Sequence, residues 1–179
     1  MIAYKYTGPQ GGLILQQKMN WLQGQTIADL YYVHGTGRGP SEVHSSGISP
    51  AFSTEYLVDN NGAPIHGGRM VFSFGVCAGN GLPANAQKPP AVGVLWGFNG
   101  HCYVFRVPAG SNYWSQNGTL NQGQEVAFPY IVESTDITQY WAPSGNFISQ
   151  GGPNNPRTNF QKVAWAAYLA SRVQALQAI

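Results

Sequence analysis

Four histidines, two cysteines and seven acidic residues are the side chains through which this 179-residue chain could run acid–base, nucleophilic or metal chemistry, and their spacing excludes most of it. His34, His44, His66 and His101 contain no pair at the short separation of a local ligand motif and have no carboxylate cluster beside them, so no metal is expected. His101 and Cys102 are adjacent, which on a strand sends them to opposite faces and prevents a cysteine–histidine nucleophile. HGTGRGP, 34–40, resembles a phosphate-cradling loop only loosely, because no Lys-Ser/Thr follows and no helix of adequate length opens there. His34 and Glu125 stand out by their places in the chain. His34 ends the apolar run LYYV, whose β-branched and aromatic residues suit a half-buried strand. Gly35, Gly37, Gly39 and Pro40 then force a turn in which the missing side chains let a ligand approach the backbone. Glu125 opens the apolar run EVAFPYIV, a notable place for a carboxylate in a chain with so few acids.

The elements that must position these two residues are short. A lead-in segment, 1–24, begins irregularly around Gly8, Pro9, Gly11 and Gly12 and is expected to hold a short helix over 13–22. A strand follows at 30–34, and Pro40, Ser41 and Glu42 predict a helical turn within 39–50. Residues 59–62 mark a loop that His66, Gly67 and Gly68 close before a strand at 69–76, on which Phe72 and Phe74 share a face. The breaker-rich stretch 79–90 leads to an expected hairpin, 91–98 against 101–107, turning at Asn99-Gly100. Residues 108–124 read as loop, 125–132 as a strand that Pro129 confines to an edge or a bend, and 136–141 as one more strand. Val163, Ala166, Ala167, Ala170, Val173 and Leu176 recur at helical spacing and predict a C-terminal helix over 159–179.

Composition agrees with a single domain, 1–179, rich in strands and loops: charged residues are 9% while Gly (23) and Pro (12) are plentiful. The net charge of +2 removes the electrostatic argument for a dedicated DNA-binding module without excluding an RNA substrate. Cys77 and Cys102 are too few for a disulfide framework; two reduced, buried thiols are expected, with a single bridge left open. No apolar run approaches the about 20 residues of a membrane span. The N-terminus lacks the basic start and continuous apolar core of a signal peptide, so export would use another route or a longer chain.

Three separated pieces, read in order, resemble the mono-ADP-ribosyltransferase toxins related to cholera and pertussis toxins. RGPSEVHSSGISPAFSTEY, 38–56, is similar to the stretch after the first active-site strand of that family, where an Arg-Pro-Pro-acid-Glu sequence precedes a Ser/Asn-Gly pair. MVFSFGV, 70–76, stands where the family has its Ser-Thr-Ser strand. GHCYVFRVPAGSNYWSQNG followed by GQEVAFPYIVESTDITQYW is similar to the hairpin, the loop and the strand of the catalytic glutamate. The resemblance spans about residues 30–141 and implies an α+β, split β-sandwich fold with short helices. It departs from the family in three places. Aligned on Arg38 and Glu42, His34 replaces the NAD-binding arginine, as in diphtheria-like toxins and poly(ADP-ribose) polymerases; the alternative, Arg38 as that arginine, requires a shifted register. Ser73, between Phe72 and Phe74, is all that remains of Ser-Thr-Ser. Gly123 stands where arginine-modifying members carry Glu or Gln, which implies an acceptor other than protein arginine.

What the resemblance implies is a toxin or effector that cleaves NAD as a substrate and passes ADP-ribose to a macromolecular acceptor, protein or RNA. Glu125 would be catalytic, because breaking the nicotinamide–ribose bond develops positive charge on the ribose. His34, with the Gly35 and Thr36 backbone, would hold ribose and the nicotinamide amide; Arg38 would pair with the pyrophosphate. Phe72, Phe74 or Tyr56 would stack on nicotinamide. Delivery to a target-cell cytoplasm and a cognate inhibitor protein in the producer are further implications. Two rival readings are an NAD glycohydrolase without a macromolecular acceptor and a non-catalytic β-sandwich that binds through exposed aromatics such as Trp96, Trp114 and Trp141.

Overall fold

The computed structural model of the chain describes residues 4–7, 21–53, 55–78, 101–121, 124–143 and 160–163. These residues make an α+β fold dominated by strands, with one α-helix. β1 (Tyr4–Thr7), β4 (Glu55–Val58) and β5 (Pro64–Arg69) form a small antiparallel sheet in the order β1-β4-β5. The large antiparallel sheet comprises β2 (Trp21–Gln25), β3 (Leu30–Thr36), β6 (Val71–Ala78), β7 (His101–Val107), β8 (Asn112–Gln116), β9 (Glu125–Phe128), β10 (Ile137–Pro143) and β11 (Phe160–Val163). Its order is β11-β10-β7-β3-β6-β9-β8-β2.

Strand alternation assigns the two faces of the large sheet. On one, Trp21, Phe72, Trp114 and Ala127 meet Leu57 and Ile65 of the small sheet, with Met70 among them, to form an inter-sheet core. On the other, Tyr32, Val71, Tyr103, Phe105, Val126, Phe128 and Tyr140 pack beneath Val43 and Ile48. Val43 belongs to α1 (Pro40–Ser46), which starts where expected: Pro at the first helical turn forgoes an N–H that would have no partner, and Glu42 favours the positive helix end. The helix stops at Gly47, whose φ of 67° lies in the left-handed region. A Cβ there would run into the Val132 carbonyl, because Ile48 and Val132 exchange backbone hydrogen bonds of 2.8 and 2.9 Å just beyond it.

The expected strands at 30–34, 69–76, 125–132 and 136–141 and the helical turn after Pro40 are present, with ends shifted by a few residues. Pro129 ends β9 one residue after Phe128, as a residue without an N–H should. Other expectations need correction. Tyr4–Thr7 is a strand within the lead-in, Trp21–Gln25 is a strand where the helix over 13–22 was to end, and His66–Gly68 lie inside β5. Residues 112–116, read as loop, are β8, and Phe160–Val163, read as helix, pair with β10. For β1, β2, β8 and β11 strands elsewhere in the chain supply the hydrogen bonds that decide the conformation, overriding local preference, whereas β5 is formed by its short hairpin with β4, Val58 lying opposite Pro64. The remainder of the lead-in helix (13–20), the segment 79–100 with the hairpin's first strand, Gly123 and the rest of the C-terminal helix (164–179) lie outside the described residues. β7 itself is bordered by β3 on one edge and β10 on the other.

Candidate functional site

His34 stands where the large sheet divides. The β3–β6 ladder runs from Leu30↔Ala78 to Val33↔Phe74 and ends there. Beyond that row β3 continues along β7 as far as Thr36↔His101, while β6 continues along β9 as far as Val71↔Phe128. Two halves of one sheet therefore part company at His34. The imidazole bridges the gap: Nδ1 donates to the Phe72 carbonyl at 2.8 Å, since a carbonyl can only accept. A side chain thus replaces the backbone donor that the parting strand no longer supplies. Burial lowers the His34 pKa, against which the bond to the Phe72 carbonyl works in the opposite direction. The neutral ring so favoured carries its proton on Nδ1 and presents Nε2 as an acceptor.

The other expected site residues fall on neighbouring strands, but not all on one face. β3, β6 and β9 are consecutive in the sheet, so His34, Ser73 and Glu125 come from adjacent strands. Ser73 is fully buried, lies opposite Val126, and has a hydroxyl with no hydrogen-bond partner among the described residues. Glu125, partly exposed, lies opposite Phe74, which in turn lies opposite Val33. Alternation gives Glu125 the face of Phe72, Phe74 and Ala127, and gives His34 the face of Tyr32 and Tyr103. One ligand can touch both groups only by entering the split between β3 and β6. The Phe72 ring belongs to the inter-sheet core, edge-to-face with Trp21 at 6.0 Å, and it is the Phe72 carbonyl that meets His34. Phe74 is half-buried at the split.

The turn after His34 is held by its own polar groups. Gly35 is buried opposite Cys102. The Thr36 hydroxyl accepts the Arg38 N–H at 3.1 Å, and Tyr103 donates its hydroxyl to the Arg38 carbonyl at 2.9 Å. The Arg38 guanidinium is not poised in isolation: it lies 3.3 Å over the Phe52 ring, 3.3 Å from the Glu42 carboxylate, and donates to the Ser46 hydroxyl at 3.3 Å. Tyr56 lies on the small sheet, in β4, with the Arg69 guanidinium 5.6 Å over its ring. It is thus separated from the strands that carry His34 and Glu125.

Sequence reasoning passed over His101, Tyr103 and Tyr140. His101 Nδ1 is 2.7 Å from the Tyr140 hydroxyl, the two rings are stacked within 14° of parallel, and Tyr140 also stacks with Tyr103, centroids 5.0 Å apart. Burial lowers the pKa of His101, and the Glu42 carboxylate pulls it back up. The available signal was His-x-Tyr at 101 and 103, which on a strand puts both rings on one face. Their partner Tyr140 is visible only once β10 is known to lie beside β7.

Comparisons with protein-family models, with curated proteins and with solved structures give no match. The chemistry must be argued from the site alone: a neutral imidazole with one accepting nitrogen in a gap between strands, a buried hydroxyl without a partner, a carboxylate at the head of the next strand, and a second imidazole–phenol pair nearby.

Proposed function

We propose that this chain is a mono-ADP-ribosyltransferase domain of a toxin or effector, with the split β-sandwich architecture of that family, which cleaves NAD and transfers ADP-ribose to a macromolecular acceptor other than protein arginine. The observation that carries the reading is that His34, Ser73 and Glu125, far apart in the chain, come from three consecutive strands, β3, β6 and β9, with His34 at the point where β3 and β6 part. In this reading NAD enters the split. His34 Nε2 accepts from a ribose hydroxyl or the nicotinamide amide, while Ser73 supplies a hydroxyl whose present lack of a partner a ligand would relieve. The bond from ribose C1′ to nicotinamide breaks with its electrons leaving on the ring nitrogen, and the Glu125 carboxylate stabilises the positive charge left on the ribose. Arg38 meets the pyrophosphate only by exchanging its Glu42 partner for it. The toxin reading carries with it delivery to a target-cell cytoplasm and a protective inhibitor in the producer.

Among the described residues no helix is long and apolar enough to cross a membrane. A surface module gripping a partner through tryptophans is disfavoured at Trp114, which is 1% exposed. The test is incubation with labelled NAD and cell extract, comparing the protein with its Glu125→Ala variant. Transfer or NAD hydrolysis is expected from the first, and about 10²- to 10³-fold less from the second with folding intact. A folded protein that neither transfers ADP-ribose nor releases nicotinamide sinks the reading. Free ADP-ribose as the sole product would make it an NAD glycohydrolase instead.

A further inference from the structure

We infer that His101, oriented by Tyr140, is the base that accepts the proton of the acceptor nucleophile; the inference rests on the transferase reading above. The ladder puts it in place. His34 lies opposite Tyr103 and Thr36 opposite His101, so His101 is the diagonal neighbour of His34 on the same face of the sheet, roughly 7–8 Å away. It therefore flanks the split without occupying it, which is where the acceptor must stand while NAD fills the gap.

The ring is held in position. Tyr103 is anchored to the Arg38 carbonyl, Tyr140 stacks with Tyr103 and with His101, and the Tyr140 hydroxyl meets Nδ1 at 2.7 Å. That contact fixes Nδ1 and leaves Nε2 as the working nitrogen. Nε2 lies beside Gly39, which has no side chain to cover it, and a Cβ built there would stand 4.0 Å away. When Nδ1 donates its proton to the Tyr140 oxygen, Nε2 carries the lone pair. Among the described residues, the titratable and charged groups around the ring are Tyr140 from β10, Tyr103 from β7, His34 from β3, and Glu42 with its partner Arg38 from α1 and the preceding turn. Glu42 favours the imidazolium that proton uptake creates.

The step balances without a further reagent. The acceptor O–H or N–H bond breaks, its electron pair forms the bond to ribose C1′, and the C1′–nicotinamide pair leaves on nicotinamide, which becomes neutral. The proton rests on His101 Nε2 and passes to water. The acceptor is consequently a group that arrives protonated, such as a hydroxyl or an amide-type nitrogen; a carboxylate would need no such base.

The decisive measurement uses the full chain, labelled NAD and cell extract, and reads the ratio of label transferred to NAD hydrolysed. His101→Gln is expected to lower that ratio about 100-fold and to remove the acid limb of the pH profile, along which transfer rises as the base loses its proton. Tyr140→Phe, which keeps the stacked ring and removes the hydroxyl, should lower it less and shift the same limb. A ratio unchanged in both variants, including the case where transfer and hydrolysis fall in proportion, overturns the role of His101 and leaves the transferase reading standing. A wild-type protein with neither activity removes the transferase reading and this role together.

Discussion

The two faces of the large sheet are built from different aromatics, and the difference separates packing from chemistry. Toward the small sheet, Trp21, Phe72 and Trp114 interlock with Leu57, Ile65 and Met70. Toward α1, the rings are largely tyrosines, and their hydroxyls are put to use: Tyr103 on the Arg38 carbonyl, Tyr140 on His101, Tyr113 on the Gly118 carbonyl at 3.2 Å. A phenyl or indole contributes area, whereas a tyrosine contributes area and a polar end that can fix a loop or orient a ring nitrogen. Even where a phenol stays neutral for lack of water, as at Tyr32, whose pKa burial pushes up to about 12, its polar end faces the layer that carries the turn and the helix. Both faces hold the fold, and the helix face in addition positions His34, Arg38 and His101.

Substitutions should divide along the same line. Trp114→Ala empties the middle of the inter-sheet core, where the side chain is 1% exposed, and is expected to cost about 3–5 kcal/mol in denaturant unfolding. A loss under about 1 kcal/mol would mean that this face is not a stabilising layer. Tyr103→Phe keeps the ring and removes one hydrogen bond, so about 1 kcal/mol of stability should be lost. The more telling readout is function: on the proposed transferase reading, freeing the Arg38 carbonyl loosens the turn after His34 and should raise the KM for NAD more than it lowers kcat. Equal behaviour of Tyr103→Phe and a conservative change in the inter-sheet core would erase the distinction.

The smallest effect is the pH dependence of stability. Burial holds His34 and His101 below the ordinary histidine value of 6.5 in the folded chain. The unfolded chain, with its histidines at about 6.5, binds protons first as the pH falls. The contribution of the two neutral rings is therefore fully present above about pH 6.5 and is lost as the pH drops through their depressed folded values. Tm measured between pH 7.5 and 5.5, above the range of ordinary carboxylates, should decline, and less so in a variant lacking both imidazoles. A Tm that rises toward pH 5.5 would reverse the sign.

The sequence by itself determined the pieces with strong local signals. LYYV specifies the strand that carries His34, though the strand runs on through Gly35 to Thr36; Pro-Ser-Glu before Val43 specifies the start of a helix; Pro129 specifies where β9 stops. These follow from dihedral preference and from a missing N–H, which act within a few residues. Tertiary structure alone decided the rest. β1, β4 and β11 have only four residues each and β2 and β8 five, too short for a period-2 pattern to stand out among glycines and polar residues. That β6 lies between β3 and β9 depends on hydrogen bonds between segments about forty to sixty positions apart, as the bond from His34 depends on a carbonyl 38 residues away. A histidine's identity is written in the chain; the face it takes, the nitrogen it keeps free and the phenol beside it are set by which strands pair.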